Sequence, residues 1–297
     1  MGAQADPTGK PLISVVTATY NLLSQGRGDS FRRVVDCMAR QNCPVAEHVI
    51  QDGASTDGTV EFIRGLIDGA PRSRLISAPD GGLYDAMNRG VEAARGDYVL
   101  FLNSDDALAS DGVLNEAAER LASCRPDFLY GATLGHTGDD GNAVRYRMSL
   151  KAVLQRMPFC HNSVFLRRDV FLGLGGHDTQ FPVAADYDLV LRLISEGYRG
   201  ERMEHPVSLF WTRGISGDAA RTAKDYARVW EKYFAGYRAA QNLTQGDFET
   251  YYRRGHMPAS LLLEVLRRPD TPRSIKAAAR HSFFKTLRRS LQPWRRF

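Results

Sequence analysis

The sequence predicts an α/β fold: a mostly parallel sheet flanked by helices, followed by a C-terminal helical, basic extension. Two observations predict the sheet, and one predicts the extension. Short apolar, β-rich runs alternate with segments of helical spacing through the first half, the pattern of repeated β-loop-α units. Three of those runs end in polar clusters, where open parallel sheets hold their ligands. Residues 251–297 contain twelve Lys or Arg against two acidic residues, whereas the whole chain carries only +5.

The first strand is expected over Leu12–Thr19, apolar throughout and ending at Tyr20 and Asn21. Phe31, Val34, Val35 and Met38 recur at helical spacing within Ser30–Arg40. A short strand over Glu47–Gln51 runs into Asp52 and Gly53, and Thr59–Ile67 returns to helical spacing. Leu83–Ala94 reads as a helix stopped by Gly96 and Asp97, and Tyr98–Leu102 is the most strand-like segment of the chain. It ends in Asn103, Ser104, Asp105 and Asp106. Beyond residue 125 the alternation weakens: Phe128–Leu134 and Ser163–Leu166 read as strands, Asp186–Ser195 and Ala219–Phe234 as helices. The expected organisation is a flexible N-terminus over residues 1–10, one α/β domain over 11–215 and a helical extension over 216–297.

Composition sets the class. With 43% hydrophobic and 25% charged residues in 297, the chain can bury a full core. Met1–Lys10 lacks the apolar run of a secretory leader, and no stretch approaches the roughly eighteen apolar residues of a membrane span. Cys37, Cys43, Cys124 and Cys160 are scattered without metal-site spacing, so reduced thiols and a cytoplasmic location are expected.

Adjacent carboxylates at Asp105 and Asp106 repel unless a cation or hydrogen bonds offset them. Mg²⁺ and Mn²⁺ prefer oxygen ligands, take one or two protein carboxylates and leave the rest to water and phosphates. The alternative is an Asx-turn or a helix cap before Asp111. An NAD-linked fold is disfavoured because no G-x-G-x-x-G follows the first strand.

The run Val99–Asp106 (VLFLNSDD) resembles the metal-binding DxD signature of family 2 glycosyltransferases with the GT-A fold. Ser14–Asn21 (SVVTATYN) is similar to that family's opening strand and nucleotide-binding turn, Asp52–Thr59 (DGASTDGT) to its second acidic turn, and Gly82–Gly90 (GLYDAMNRG) to the helix before the signature. The resemblance covers residues 12–215 and departs at one place: the first signature position is Asn103. It implies a transferase of the kind that builds bacterial surface polysaccharides, taking a sugar from a nucleotide-diphosphate donor with Mn²⁺ or Mg²⁺ as cofactor. Thr17, Thr19, Tyr20 and Asn21 would then line the base pocket, and Asp52 would accept a base N–H. Asp80, Asp85, Asn88, Asn103 and Ser104 would reach the ribose or diphosphate, and Asp105 and Asp106 the metal. Tyr20 also reads as a core aromatic, Asp52 as a turn residue, Asp85 and Asn88 as helix-surface positions, and Ser55, Thr56 and Asp57 as capping residues.

The family's catalytic acidic pair falls on Val183–Leu193 (VAADYDLVLRL), where Ala185 replaces Glu and Asp186 matches the base. One-step displacement with inversion follows from that resemblance. Helix capping is the alternative for Asp186, and Asp188 would point elsewhere on a helix. His161 could line the acceptor site, Gly214–Ser216 resembles a closing loop, and Trp211 offers a face to a sugar ring. Asn103 and Ala185 keep a second reading open, a nucleotide-sugar binding protein without turnover.

In the tail, Thr271 and Pro272 signal a helix start. Ile275, Ala279, Phe283, Leu287 and Leu291 recur every four residues among Lys276, Arg280, Lys285, Arg288 and Arg289, with Trp294 and Phe297 after them. That composition over 272–297 suits an anionic membrane surface, hence peripheral attachment at the inner face and a saccharide or lipid-linked acceptor. The alternative is a helix packed on its own domain. Nucleic acid is not an expected partner, because the aromatic residues are not spread for base stacking.

Overall fold

The computed structural model describes residues 12–44, 46–136, 143–146, 148–211 and 218–290. The chain divides into two compact units: residues 1–147, 159–179 and 199–213 form one, and residues 148–158, 180–198 and 214–297 the other. The sequence placed a single boundary after residue 215. Two earlier segments instead join the second unit, because their side chains pack among the C-terminal helices; Tyr187 stacks on Tyr226 with ring centroids 4.4 Å apart.

In the first unit, β1 (Ile13–Thr19), α1 (Gly28–Arg40), β2 (Ala46–Asp52), α2 (Thr59–Ile67), β3 (Ser73–Ser77), α3 (Leu83–Ala93) and β4 (Tyr98–Phe101) alternate as expected. They are followed by β5 (Ala107–Leu108), α4 (Val113–Cys124), β6 (Phe128–His136), β7 (Ala143–Arg145), β8 (Val164–Arg167), α5 (Arg168–Gly173) and, after the residues of the second unit, β9 (Gly200–Trp211). The sheet runs β3-β2-β1-β4-β8-β6-β9-β5, with β7 beside β6. Pairing is parallel from β3 through β4 and between β6 and β9, and antiparallel at β4–β8, β8–β6, β6–β7 and β9–β5. The chain leaves β1 on one side to build β2 and β3, then returns to place β4 on the other. The carboxyl ends of β1 and β4 therefore flank a topological switch point.

Both faces of the sheet are covered. Ile13 and Val15 face a core shared with Phe31, Val34 and Val35 of α1 and with Leu114, Ala117 and Leu121 of α4. Val16 points the other way, toward α3, where a Cβ on Gly90 would lie 2.4 Å from Val16 Cγ1. Only glycine lets that helix sit so close to β1.

The second unit holds α6 (Ala185–Ser195), α7 (Ala219–Phe234), α8 (Gln245–Arg254), α9 (Ala259–Arg267) and α10 (Arg273–Ser290). Ile275, Ala278, Ala279 and Ser282 of α10 are buried, Ser274 Oγ donates to Ile194 O at 3.0 Å, and Lys285 Nζ donates to Gln155 Oε1 at 2.7 Å. Phe284 and Leu287 are 61% and 44% exposed. The expected single stripe is therefore split, because each four-residue step rotates about 40° around an α-helix. Its first half packs inward and Leu287 turns out. Among the described residues, no helix is long and apolar enough to cross a membrane.

Candidate functional site

The turns after β1 and β2 are built by the polar side chains singled out in the sequence. Asp52 is fully buried and accepts four hydrogen bonds: Thr19 Oγ1 at 3.1 Å, Ser55 Oγ at 2.6 Å, Ser55 N at 2.9 Å and Ser77 Oγ at 2.8 Å. A carboxylate has about four acceptor positions, so Asp52 is satisfied from within the chain. The expected contact to a base N–H would require one of these internal donors to give way. Thr17 is likewise fully buried, its Oγ1 3.0 Å from His48 Nε2 on β2. Asn21 adopts a left-handed φ of 46°, donates its N–H to Ser55 Oγ at 2.7 Å and accepts from Thr56 N at 3.0 Å. Asp57 ties the same two loops together, accepting from Ser24 N at 2.8 Å and Thr59 N at 3.1 Å. Burial opposes ionisation of Asp57, but the N–H and hydroxyl groups of Ser24 and Thr59 hold its carboxyl well below the usual range.

That platform leaves Tyr20 57% exposed. A Cβ on Gly53 would lie 2.7 Å from Asp80 Oδ2 and 3.2 Å from Tyr20 Cδ2, so the Tyr20 ring and the Asp80 carboxylate converge over this glycine. Asp80 Oδ1 accepts from Gly82 N at 2.9 Å. Asp85 accepts from Gly81 N at 2.8 Å and pairs with Arg89 at 3.0 Å. The Asn88 amide is committed at both ends to the His177 backbone, accepting from its N–H at 2.8 Å and donating to its carbonyl at 2.9 Å. These two bonds clamp the loop after α5, and the expected ribose or diphosphate contact at Asn88 would compete with them.

Beyond β4 the chain turns through Asn103–Asp106. Asp106 is 2% exposed, and its Oδ2 accepts from Asn103 Nδ2 and Asn162 Nδ2, both at 2.9 Å. Burial pushes its carboxyl up and the neighbouring Asp105 adds to that, against the two amides and His161. Asn103 Oδ1 lies 3.2 Å from His161 Nε2. Behind Asn162, Ser208 Oγ donates to its Oδ1 at 3.1 Å, and Ser163, Ser208 and Thr133 share a buried hydroxyl cluster. Sequence reasoning reached His161 but not Asn162, although both stand in the same CHNS tetrapeptide. Ser104 is 6% exposed. Asp105 is half-buried and makes no hydrogen bond or ion pair among the described residues. No group of three or more His, Cys, Asp and Glu suited to an ion occurs among the described residues. A hard divalent cation that takes one or two carboxylates fits this turn, with Asp105 as the uncommitted oxygen donor.

Asp186 lies in the second unit, in the first turn of α6, and its Oδ1 accepts from Tyr187 N at 2.7 Å. It is not the helix cap. Asp225 of α7 takes the N–H groups of Val183 at 2.8 Å and Ala184 at 2.9 Å. Asp188 points inward and is held by Arg192 at 2.7 Å and Lys232 at 2.9 Å. The Gly214–Ser216 loop, Trp294, Phe297 and the Trp211 side chain lie outside the described residues.

Comparison with known proteins bears on this arrangement. Residues 14–178 match the family described as Glycosyl transferase family 2. A PGL/p-HBAD biosynthesis glycosyltransferase of Mycobacterium bovis is 31% identical over 201 residues, covering 66% of this chain and 75% of the relative. Chondroitin synthase of Pasteurella multocida is 29% identical over 220 residues, covering 70% of this chain but 21% of the relative. Among solved structures, the mannosyltransferase PcManGT from Pyrobaculum calidifontis, in complex with GDP-Man and Mn²⁺, superposes with a TM-score of 0.61 at 21% identity, over 95% of this chain and 90% of that one. S. aureus TarS 1-349 in complex with UDP-GlcNAc gives 0.59 at 16% identity, over 96% and 93%; this chain spans 54% of the longer TarS chain. The family pattern covers more than half of the sequence and includes both loop platforms and the Asn103–Asp106 turn, so this chain belongs to glycosyl transferase family 2 and is a transferase of the GT-A fold.

Proposed function

We propose that this enzyme transfers a hexose-type sugar from a nucleotide-diphosphate donor to a saccharide or lipid-linked glycan acceptor, with inversion and with Mn²⁺ or Mg²⁺. The observation that carries the reading is Asp105: a half-buried carboxylate without a hydrogen-bond or ion-pair partner among the described residues, beside a buried Asp106 that two amides hold in place. A bound divalent ion supplies neutralisation of the charge that grows on a departing diphosphate. Asp105 is its proposed protein ligand, with Asp106 and Asn103 fixing the turn that presents it. Tyr20 offers an exposed ring for the nucleobase, and Asp80 and Ser104 offer polar contacts to the ribose or diphosphate. Asp186 takes the proton of the attacking hydroxyl. Asp225 takes the Val183 and Ala184 N–H groups at the start of α6, and Asp186 itself accepts from the adjacent Tyr187 N–H through Oδ1.

The test is calorimetric titration of UDP and GDP into the protein with and without Mn²⁺, alongside Asp105→Ala. Metal-dependent binding of one nucleotide, lost in the variant, supports the reading; no binding of either by folded protein with Mn²⁺ present sinks it.

For the acceptor side, the exposed face of α10 combines Arg280 with Phe284 and Leu287, a mixture suited to anionic lipid. Co-sedimentation with phosphatidylglycerol-containing vesicles, weakened by Phe284→Ser with Leu287→Ser and absent with phosphatidylcholine alone, is the expected result. Equal binding of wild type and variant would remove the membrane from the proposal.

A further inference from the structure

The nine residues from Gln180 to Asp188, which include Asp186, are gripped from one helix. Asp225 of α7, only 4% exposed, accepts the N–H groups of Val183 and Ala184 at 2.8 and 2.9 Å. These are donors at a helix start that the helix itself leaves without partners. Arg228 Nη1 donates to Asp225 Oδ1 at 3.0 Å and to Gln180 O at 3.1 Å, and its guanidinium lies 5.2 Å from the centre of the Phe181 ring. Lys232 Nζ donates to Asp188 Oδ1 at 2.9 Å and stands 5.1 Å from the same ring. Asp225, Arg228 and Lys232 are spaced three and four apart and so form one row on α7.

The residue directly after Asp186 is fixed from the same helix. Tyr187 is fully buried, stacked on Tyr226 at 4.4 Å and 14°. Its hydroxyl accepts from Trp230 Nε1 at 2.7 Å and donates to Val153 O at 2.6 Å. Burial pushes that phenol far above the usual tyrosine range, so it stays a neutral donor. Asp186 is thus flanked on both sides by residues whose positions α7 determines.

Apolar contacts alone would dock α7 more cheaply. A buried or half-buried ion pair adds little net stability, since desolvation offsets most of its attraction. What several charged contacts to one short segment do supply is direction. A general base must stand within hydrogen-bond reach of the proton it removes, and a misplacement of about 1 Å costs on the order of a hundredfold in rate.

We infer that α7 is the positioning element of the catalytic base, with Asp225 as its principal positioning residue and Arg228 and Lys232 as its supports. On this view α7 contributes to catalysis by fixing the segment that carries Asp186. The inference rests on the assignment of Asp186 as base.

The experiment is a double-mutant cycle on the full chain. Release of nucleoside diphosphate from UDP-GlcNAc and from GDP-mannose is followed with Mn²⁺ and a panel of p-nitrophenyl glycoside acceptors. Wild type, Asp225→Ala, Asp186→Asn and the double variant are compared. Asp225→Ala is expected to lower kcat about tenfold to a hundredfold while the donor KM stays within about twofold. In the Asp186→Asn background the same change should lower kcat no further, because the group it positions is gone. Additive losses in the two backgrounds, or an unchanged kcat in folded Asp225→Ala, would overturn the inference while leaving the base assignment intact. Near-normal kcat in Asp186→Asn would overturn the base assignment and the inference with it. If Asp225→Ala does not fold, Asp225→Asn, which keeps one acceptor oxygen, takes its place in the cycle and should show a smaller drop with the same loss of additivity.

Discussion

The side-chain amide of Asn103 donates to the carboxylate of Asp106 at 2.9 Å, where the family signature resembled in the sequence has an acidic residue. That bond explains how the chain tolerates the exchange. Asp106 is buried and already pushed up by burial and by Asp105, so a carboxylate at position 103 would set a third negative group against it. Asn103→Asp is therefore expected to lower stability by about 1–3 kcal/mol in the presence of EDTA, measured by urea unfolding at pH 8. Adding Asp106→Asn to that variant should restore part of the loss. A variant as stable as wild type without metal would show that the amide bond is dispensable.

His48 provides a pH signature. Its ring is fully buried, touches Thr17 Oγ1 at 3.0 Å and has no partner at Nδ1 among the described residues. Burial lowers its pKa from 6.5 to about 4. The unfolded chain then binds the extra proton first as pH falls. The stabilising contribution is full above pH 6.5 and is lost progressively between pH 6.5 and 4, by at most about 3 kcal/mol. Urea midpoints should fall over that window in wild type, and His48→Gln should flatten the upper part of the curve, from pH 6.5 to 5. An identical slope in the variant would assign the titration elsewhere.

The convergence of Tyr20 and Asp80 over Gly53 separates binding from folding. Tyr20 is more than half exposed, so Tyr20→Ala should leave the melting temperature within about 2 °C while weakening nucleotide binding by about 1–3 kcal/mol. Tyr20→Phe should bind normally, since the ring and not the hydroxyl is used. Gly53→Ala should also weaken binding, because the added methyl pushes both side chains aside. Unaltered nucleotide affinity in Tyr20→Ala would place the base elsewhere.

Much of this was legible in the sequence, and the reasons differ by element. β1 and β4 announced themselves because they are buried on both faces and read as unbroken apolar runs. β3 did not, since Ser73–Ser77 is a half-exposed edge strand with a single apolar pair. β9 hid behind charged residues and Pro206, which sits where the pairing with β6 shifts register. At the site, the residue types were visible but not their direction. Thr17 and Asn21 stand in the right segments, yet one hydroxyl turns into the sheet and one amide closes a turn. The partners of Asp106 and of the α6 start, Asn162 and Asp225, lie 56 and 41–42 residues away in the chain. No local pattern marks such a pairing; only the fold creates it.

Asp52 gives the sharpest test of that distinction. As a base-reading carboxylate it would matter to nucleotide binding and little to folding. As the acceptor for Thr19, Ser55 and Ser77 it should matter to folding first. Asp52→Asn replaces one acceptor oxygen by an amide group that must face donors already pointing inward. Hydrogen bonds to charged groups are worth about 1.5–3 kcal/mol each, and leaving buried donors unmatched adds to the loss. We expect Asn at position 52 to destabilise the chain by about 2–4 kcal/mol, with nucleotide affinity falling only as far as the folded fraction falls. Urea unfolding and nucleotide titration on the same samples decide it. Undiminished stability with lost nucleotide binding would return Asp52 to the role its place in the sequence first suggested, and would mean that Thr19, Ser55 and Ser77 exchange their partner when nucleotide arrives.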